Sequence, residues 1–205
     1  MKPINRLIVL LLIIAPALAS AQGYYGPGPG SPYPSGFHHR MGRLAWGFSV
    51  GLGGMSDNGS NVTSCDNCNY NPATIEFDGH IGGMLSPRFA LLFEVQANAQ
   101  TIHSDAENGD TILTQSVAMV AGQYWLTPIF WIKGGIGLAN LQSSDGGYFS
   151  QDLGNGVGIL GAIGVELMSS RFFALDLQGR IIEGSYNGLD DHVTSGTIGL
   201  GFNWY

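Results

Sequence analysis

Residues 74–85 read TIEFDGHIGGML, and the order of side chains in that stretch decides the fold. Ile75, Phe77, Ile81 and Leu85 fall on one face of an extended chain, while Glu76, Asp78, His80 and Met84 fall on the other. Successive side chains of a strand point to opposite faces, so a strict period of two is the mark of a β-strand with two unlike environments. Upstream, LAWGFSVGLG (44–53) sets Leu44, Trp46, Phe48, Val50 and Leu52 against Ala45, Gly47, Ser49, Gly51 and Gly53. Downstream, FALLFEVQANAQ (89–100) sets Phe89, Leu91, Phe93 and Val95 against Leu92, Glu94, Gln96 and Asn98. The pattern returns in FWIKGGIGLANL (130–141), GVGILGAIGVEL (156–167), RFFALDLQGRI (171–181) and the closing GTIGLGFNWY (196–205). One further segment, Thr111 to Leu126, is less regular, because Gln115 and Gln123 interrupt the apolar phase Leu113, Val117, Met119, Ala121. Eight strands result, each expected to run about 10 to 12 residues.

The connections alternate in length. Three share one form, LSPRF (85–89), LTPIF (126–130) and MSSRF (168–172), so the chain repeats as hairpins with tight turns closed by Phe89, Phe130 and Phe172. The other four, 54–73, 101–110, 142–155 and 185–192, are longer and rich in Gly, Asn, Asp and Ser. An even number of antiparallel strands with turns at one end and loops at the other describes an all-β, up-and-down barrel.

The ends of the chain supply an address. Lys2 and Arg6 precede the apolar run Leu7 to Ile14, and Ala19-Ser20-Ala21 follows, the layout of a cleaved secretory signal over residues 1–21. Residues 22–42 form a Gly/Pro/Tyr-rich lead-in, beginning QGYYGPGPGSPYPSG, that can neither ladder nor coil into a helix. The barrel is expected over 43–205. Cys65 and Cys68, in SCDNCNY, are most simply a loop disulfide in an exported protein. A zinc site would need four ligands, and no second Cys pair stands at ligand spacing. The formal net charge of −7 excludes nucleic acid as a partner, because phosphate binding wants a basic stripe. Charged residues make up only 11% of the chain and 32 residues are Gly, an odd composition for a water-soluble domain.

Alternation alone does not say which face is wet. A soluble barrel packs large apolar side chains inside, and a membrane barrel turns them outward to lipid. The second arrangement fits better. The non-apolar phase is mostly Gly and Ala, suited to a narrow lumen, and it carries Glu76, Asp78, Glu94, Glu166 and Asp176 beside Lys133 and Arg180. Charges of both signs in one phase can pair across a lumen, which buried charges require. Five acids against two bases leave some carboxylates to be protonated, hydrated or bonded to Tyr, Gln or His80. Trp46, Phe77, Tyr124, Trp125, Trp131, Phe173 and Trp204 lie largely near strand ends, where an interfacial girdle belongs.

On these features, the chain resembles the small eight-stranded outer-membrane β-barrels of Gram-negative bacteria, the class that includes the transmembrane domain of OmpA. The resemblance covers about Leu44 to Tyr205 and rests on architecture: signal, dyad strands, turn and loop alternation, and a terminal aromatic. It implies insertion by the barrel-assembly machinery and both termini in the periplasm. Outer-membrane lipid and lipopolysaccharide are then the expected surroundings, for a monomeric chain with no cofactor. Phe202, Trp204 and Tyr205 are the candidate assembly signal. In the family the terminal aromatic usually shares the outward phase, whereas here that phase ends at Trp204. Either a bulge resets the register or Tyr205 turns toward the lumen edge.

Two other functional readings stay open. Asp190-Asp191-His192 and His103-Ser104-Asp105 invite an outer-membrane lipid-modifying or proteolytic enzyme. The first would match longer, ten-stranded barrels, and three consecutive residues diverge too far to make a triad. A soluble exported ligand-binding barrel is the third possibility. Gly156 to Gly161 spells GxGxxG, but inside a strand, where no helix N-terminus can meet a pyrophosphate. The loop acids Asp57, Asp66, Asp105, Glu107, Asp110, Asp145, Asp152, Asp190 and Asp191 solvate the loop end and could share divalent cations with lipopolysaccharide phosphates.

Overall fold

The computed structural model describes Arg40 and residues 43–61, 73–104, 109–145, 149–170, 172–187 and 192–205. Eight long strands account for nearly all of them: β1 Leu44–Asp57, β2 Thr74–Ser86, β3 Phe89–Ser104, β4 Gly109–Trp125, β5 Phe130–Asp145, β6 Phe149–Ser169, β7 Phe173–Tyr186 and β8 His192–Trp204. Each pairs antiparallel with its neighbours in chain order, and β1 pairs with β8 from Trp46↔Trp204 to Asp57↔Val193. The sheet therefore closes on itself and keeps no edge. A two-residue strand, Ser60–Asn61, folds back on the end of β1 through Asn58 and Gly59 at φ 46° and 79°. These are the left-handed angles of a two-residue hairpin turn, which Asn-Gly favours.

The strands run 13 to 21 residues, longer than the 10 to 12 expected. The excess lies at the loop end, where β5 and β6 keep pairing through Gln142↔Asp152 to Asp145↔Phe149 after the sequence has turned polar. Backbone pairing needs no apolar face, so hydropathy marks only the part of a strand whose outer face is apolar. At the other end the turns are tight. Thr127 Oγ1 accepts from the amide of Phe130 at 3.0 Å, and Ser170 Oγ from that of Phe173 at 3.1 Å. Register shifts at Met84/Ser86 and Glu166/Met168 sit beside two of these turns.

The wall is inside out. Leu52, Leu138 and Ile198 expose 62, 66 and 69% of their surface, while Glu76, Asp78 and Glu94 expose none. Among the described residues no helix is long and apolar enough to cross a membrane. The apolar band is carried by strands, and its extent is far beyond the isolated patches of a soluble monomer. On the outer wall Gly161, Gly179 and Gly196 open a groove of about 710 Å³ bordered by Leu52, Ile163, Ile181 and Ile198.

Two expectations are corrected. In β4 the phase is the reverse of an apolar-outward reading: Leu113, Gln115, Val117, Met119, Ala121, Gln123 and Trp125 all face the lumen and are buried. Gln115 and Gln123 mark the interior there and do not interrupt an outer face. Trp125 and Trp131, each 1% exposed, are likewise lumen residues and no part of the girdle. Their indole N–H groups explain the placement, since each finds a carboxylate inside. Residues 1–21, most of 22–42, Cys65, Cys68, Asp66, Asp105, Glu107, Asp190 and Asp191 lie outside the described residues.

Candidate functional site in the barrel lumen

The lumen is organised in three layers, beginning at the turn end. Its floor is built on Glu166, whose place in β6 is held by a backbone bond from its amide to the Ile129 carbonyl at 2.8 Å. The carboxylate accepts the Trp125 indole N–H at 2.8 Å and pairs with Arg40. Beside it, Asp176 Oδ2 accepts from Trp131 Nε1 and from Asn203 Nδ2, both at 2.9 Å. Trp131 reaches Asp176 across Gly164: a Cβ at that position would clash with the indole ring. Tyr205 closes the floor, its ring edge-on to Trp125 at 6.1 Å.

The waist holds the densest charge. Arg180 Nη1 lies 3.2 Å from Asp78 and its Nε 3.5 Å from Glu76, and its Nη2 pairs with Glu94. Lys133 Nζ donates to the other oxygen of Glu94 at 2.9 Å. Glu76 also accepts from Thr197 Oγ1 at 2.8 Å and Ser49 Oγ at 3.1 Å, and His80 Nδ1 meets Asp78 at 3.3 Å. These contacts join β1, β2, β3, β5, β7 and β8 across the barrel. Above the waist a neutral layer takes over. Ser195 donates to Gln115 Oε1 at 2.6 Å, and Gln115 Nε2 donates to the Tyr186 hydroxyl at 3.0 Å and the Val193 carbonyl at 2.9 Å. Thr74 donates to Gln100 at 2.6 Å.

All seven charged residues singled out from sequence, Glu76, Asp78, Glu94, Lys133, Glu166, Asp176 and Arg180, face the lumen, and they fall into two groups. Glu76, Asp78, Glu94, Lys133 and Arg180 form the waist; Glu166 and Asp176 stand apart at the floor. Sequence reasoning missed the cation of the floor. Arg40 lies ahead of β1, outside any alternating segment, and only its charge beside the first strand hinted at a role. The lumen also takes large apolar side chains, Val117 and Met119 of β4, Leu160 of β6 and Ile182 of β7, where only small and charged ones were expected.

Asp78, His80 and Glu94 offer ligand atoms within 4.8 Å of one another. A divalent ion there would have to displace Arg180 and Lys133 from the same carboxylates, so the donor set is already satisfied by side-chain cations. A void of about 10 Å³ beside Gln123 and Trp125 holds at most about one water. The GxGxxG string runs through the middle of β6, with strand on either side. Outside the lumen, His192 stands 3.9 Å from Glu183, both exposed.

On the outer face Trp204 stacks on Trp46 with ring centroids 4.4 Å apart and lies 5.3 Å from Phe173, while Phe202 stacks on Phe48 at 5.0 Å. Pairing of β8 with both neighbours shows no register shift. Of the two readings of the terminus, the structure takes the second: Trp204 ends the outward row and Tyr205 turns in over the floor.

Among solved structures, Neisserial surface protein A matches with a TM-score of 0.51 at 14% identity, over 78% of this chain and 95% of that one. Ail of Yersinia pestis, in complex with the heparin analogue sucrose octasulfate, matches at 0.49 and 10% identity over 78% and 99%. The outer membrane protein OprG of Pseudomonas aeruginosa matches at 0.38 and 12% identity over 79% and 94%. The first of these likenesses supports the fold, a small closed antiparallel β-barrel. No protein-family model and no curated protein matches the chain.

Proposed function

We propose that this chain is an integral protein of the bacterial outer membrane, exported by a signal over residues 1–21, with a structural or surface-interaction role and at most minor permeability. The observation that carries the reading is the pairing of an apolar outer wall with a lumen filled by bonded charge. A pore needs water where Arg180 sits between Glu76, Asp78 and Glu94. An enzyme needs a reachable nucleophile or base, and the lumen carboxylates are engaged by Arg, Lys, Trp and hydroxyl donors. Display of the loops from a rigid barrel is the role that a filled lumen supports best. The surroundings on this reading are outer-membrane lipid and lipopolysaccharide, with the barrel-assembly machinery as a transient partner and the chain itself monomeric.

Membrane fractionation tests it together with gel migration before and after boiling. The chain is expected in the outer-membrane fraction, migrating faster unboiled than boiled. Recovery in the soluble periplasmic fraction would refute the membrane assignment. A large, steady single-channel conductance in a planar bilayer would refute the filled lumen alone.

A further inference from the structure

The floor of the lumen is closed by a side chain that belongs to none of the strands. Arg40 is fully buried, although it precedes β1. Its Nη2 donates to Glu166 Oε1 at 2.6 Å, pairs with Oε2, and donates to the Pro128 carbonyl at 3.2 Å. The guanidinium carbon lies over the Trp125 ring, 4.8 Å from its centroid, and over the Tyr205 ring at 5.3 Å. Every wall of this chamber is supplied by the barrel: Trp125 by β4, Pro128 by the following turn, Glu166 by β6 and Tyr205 by the end of β8. The Trp125–Glu166 bond fixes the carboxylate independently of Arg40.

Two π faces flank the guanidinium, and Nη2 makes all of its hydrogen bonds while Nε and Nη1 are buried without one, so the aromatic faces are what suit the site to a planar, delocalised cation. An ammonium would satisfy the carboxylate and leave the space between the rings unfilled. We propose that the floor of the barrel is a guanidinium-binding site, occupied in cis by the Arg40 side chain as an exchangeable ligand would occupy it. The ligand class is an alkylguanidinium, in protein form an arginine side chain. Because Tyr205 is one wall, the site is complete only when β8 has closed on β1. Docking of Arg40 is then a late step that follows barrel closure. The inference rests on the barrel geometry and is independent of the role proposed above.

The test uses the mature chain folded into detergent micelles and labelled with 5-fluorotryptophan. Its four Trp give four fluorine resonances, with Trp125 identified by its loss in Trp125→Phe. In Arg40→Ala the Trp125 resonance is expected to shift while that of Trp46 stays in place. Methylguanidinium at millimolar concentration should return it toward the wild-type position in a saturable way. Methylammonium should not, and the wild type should respond to neither. Arg40→Lys should keep the shifted resonance and still respond to methylguanidinium. An unchanged Trp125 resonance in Arg40→Ala would overturn the proposal, as would an equal drift with both cations or no response to either. If Arg40→Ala fails to fold, methylguanidinium present during refolding should restore the heat-dependent gel shift. Failure to restore it, or equal restoration by methylammonium, would overturn the proposal as well.

Discussion

Replacing Arg180 with Met should be among the most damaging single changes in this chain, and removing one of its acidic partners should be among the mildest. Among the described residues the lumen carries five buried carboxylates, Glu76, Asp78, Glu94, Glu166 and Asp176, against three buried cations, Arg40, Lys133 and Arg180, so base is in short supply and acid is in excess. Arg180 stands 3.2 Å from Asp78 and 3.5 Å from Glu76, and also pairs with Glu94. At such distances each pair contributes about 5 kcal/mol of Coulomb attraction at an effective dielectric of about 20. Loss of Arg180 also removes its own desolvation cost, which is several kcal/mol, and the expected net penalty is about 3 to 5 kcal/mol. Lys133 is left as the sole cation near three carboxylates. Glu76→Gln, by contrast, removes a surplus charge and leaves the Thr197 and Ser49 hydroxyls an amide to bond, so its cost should stay below about 1 kcal/mol. Urea unfolding in micelles, followed by Trp fluorescence and by unboiled gel migration, measures both. Urea is preferred because guanidinium would compete at the floor. Glu94→Gln added to Arg180→Met should recover part of the loss, since it neutralises an orphaned charge. An Arg180→Met protein within about 1 kcal/mol of wild type, or one no less stable than Glu76→Gln, would refute the base-limited account.

Gly164→Leu should destabilise the barrel by about 1 to 3 kcal/mol through overpacking, because a Cβ there meets Trp131 Cη2 at 2.9 Å and two other ring carbons more closely still. The Trp131–Asp176 bond should be lost with it, read as a change in near-ultraviolet circular dichroism; an unaltered spectrum would count against this packing. Deleting Trp204 and Tyr205 removes the stack on Trp46 and one wall of the floor. No heat-modifiable species should then reach the membrane fraction, and normal insertion of the truncated chain would undo the assembly role given to the terminus. Gly59→Val places a β-branched residue at φ 79° and should cost about 1 to 2 kcal/mol locally. Proteolysis at the β1 hairpin should rise while the global urea midpoint stays put; a shifted midpoint would tie that hairpin to the barrel more closely than its two paired residues suggest.

How much of this was legible depended on whether a strand carried charge inside. In β2 the string Ile75, Glu76, Phe77, Asp78 labels both faces, and structure and sequence agree residue by residue. In β4 the lumen residues Leu113, Val117 and Met119 are more apolar than the outward Thr114 and Ser116, so the hydropathy rule pointed the wrong way. Trp125 and Trp131 were drawn to the interface by their closeness to a turn. Trp131 nevertheless alternates with Phe130 and Ile132 and shares its phase with Lys133, a signal that was available. Arg40 was not legible, because a residue ahead of the first strand has no phase to be read from.

The same contrast says what fixes the register of each strand. Sliding β2 by one residue would turn Glu76 and Asp78 to lipid and Ile75 and Phe77 into the lumen, so charge specifies its register outright. The spanning part of β4 has no charged residue, and its register must be specified from outside it. Gly158 of β6 lies against Val117, where an added Cβ would come within 2.7 Å of Cγ1, and Gly135 of β5 lies against Met119, with Sδ at 3.0 Å. Gln115 is held by Tyr186 of β7 and by the Val193 carbonyl of β8. A slip of β4 by one residue would aim Ala118 and Ser116 at those gaps and strand Gln115 in the apolar wall. The instructions for β4 are therefore written in the glycines and hydroxyls of four other strands, which is why they were invisible within β4 itself.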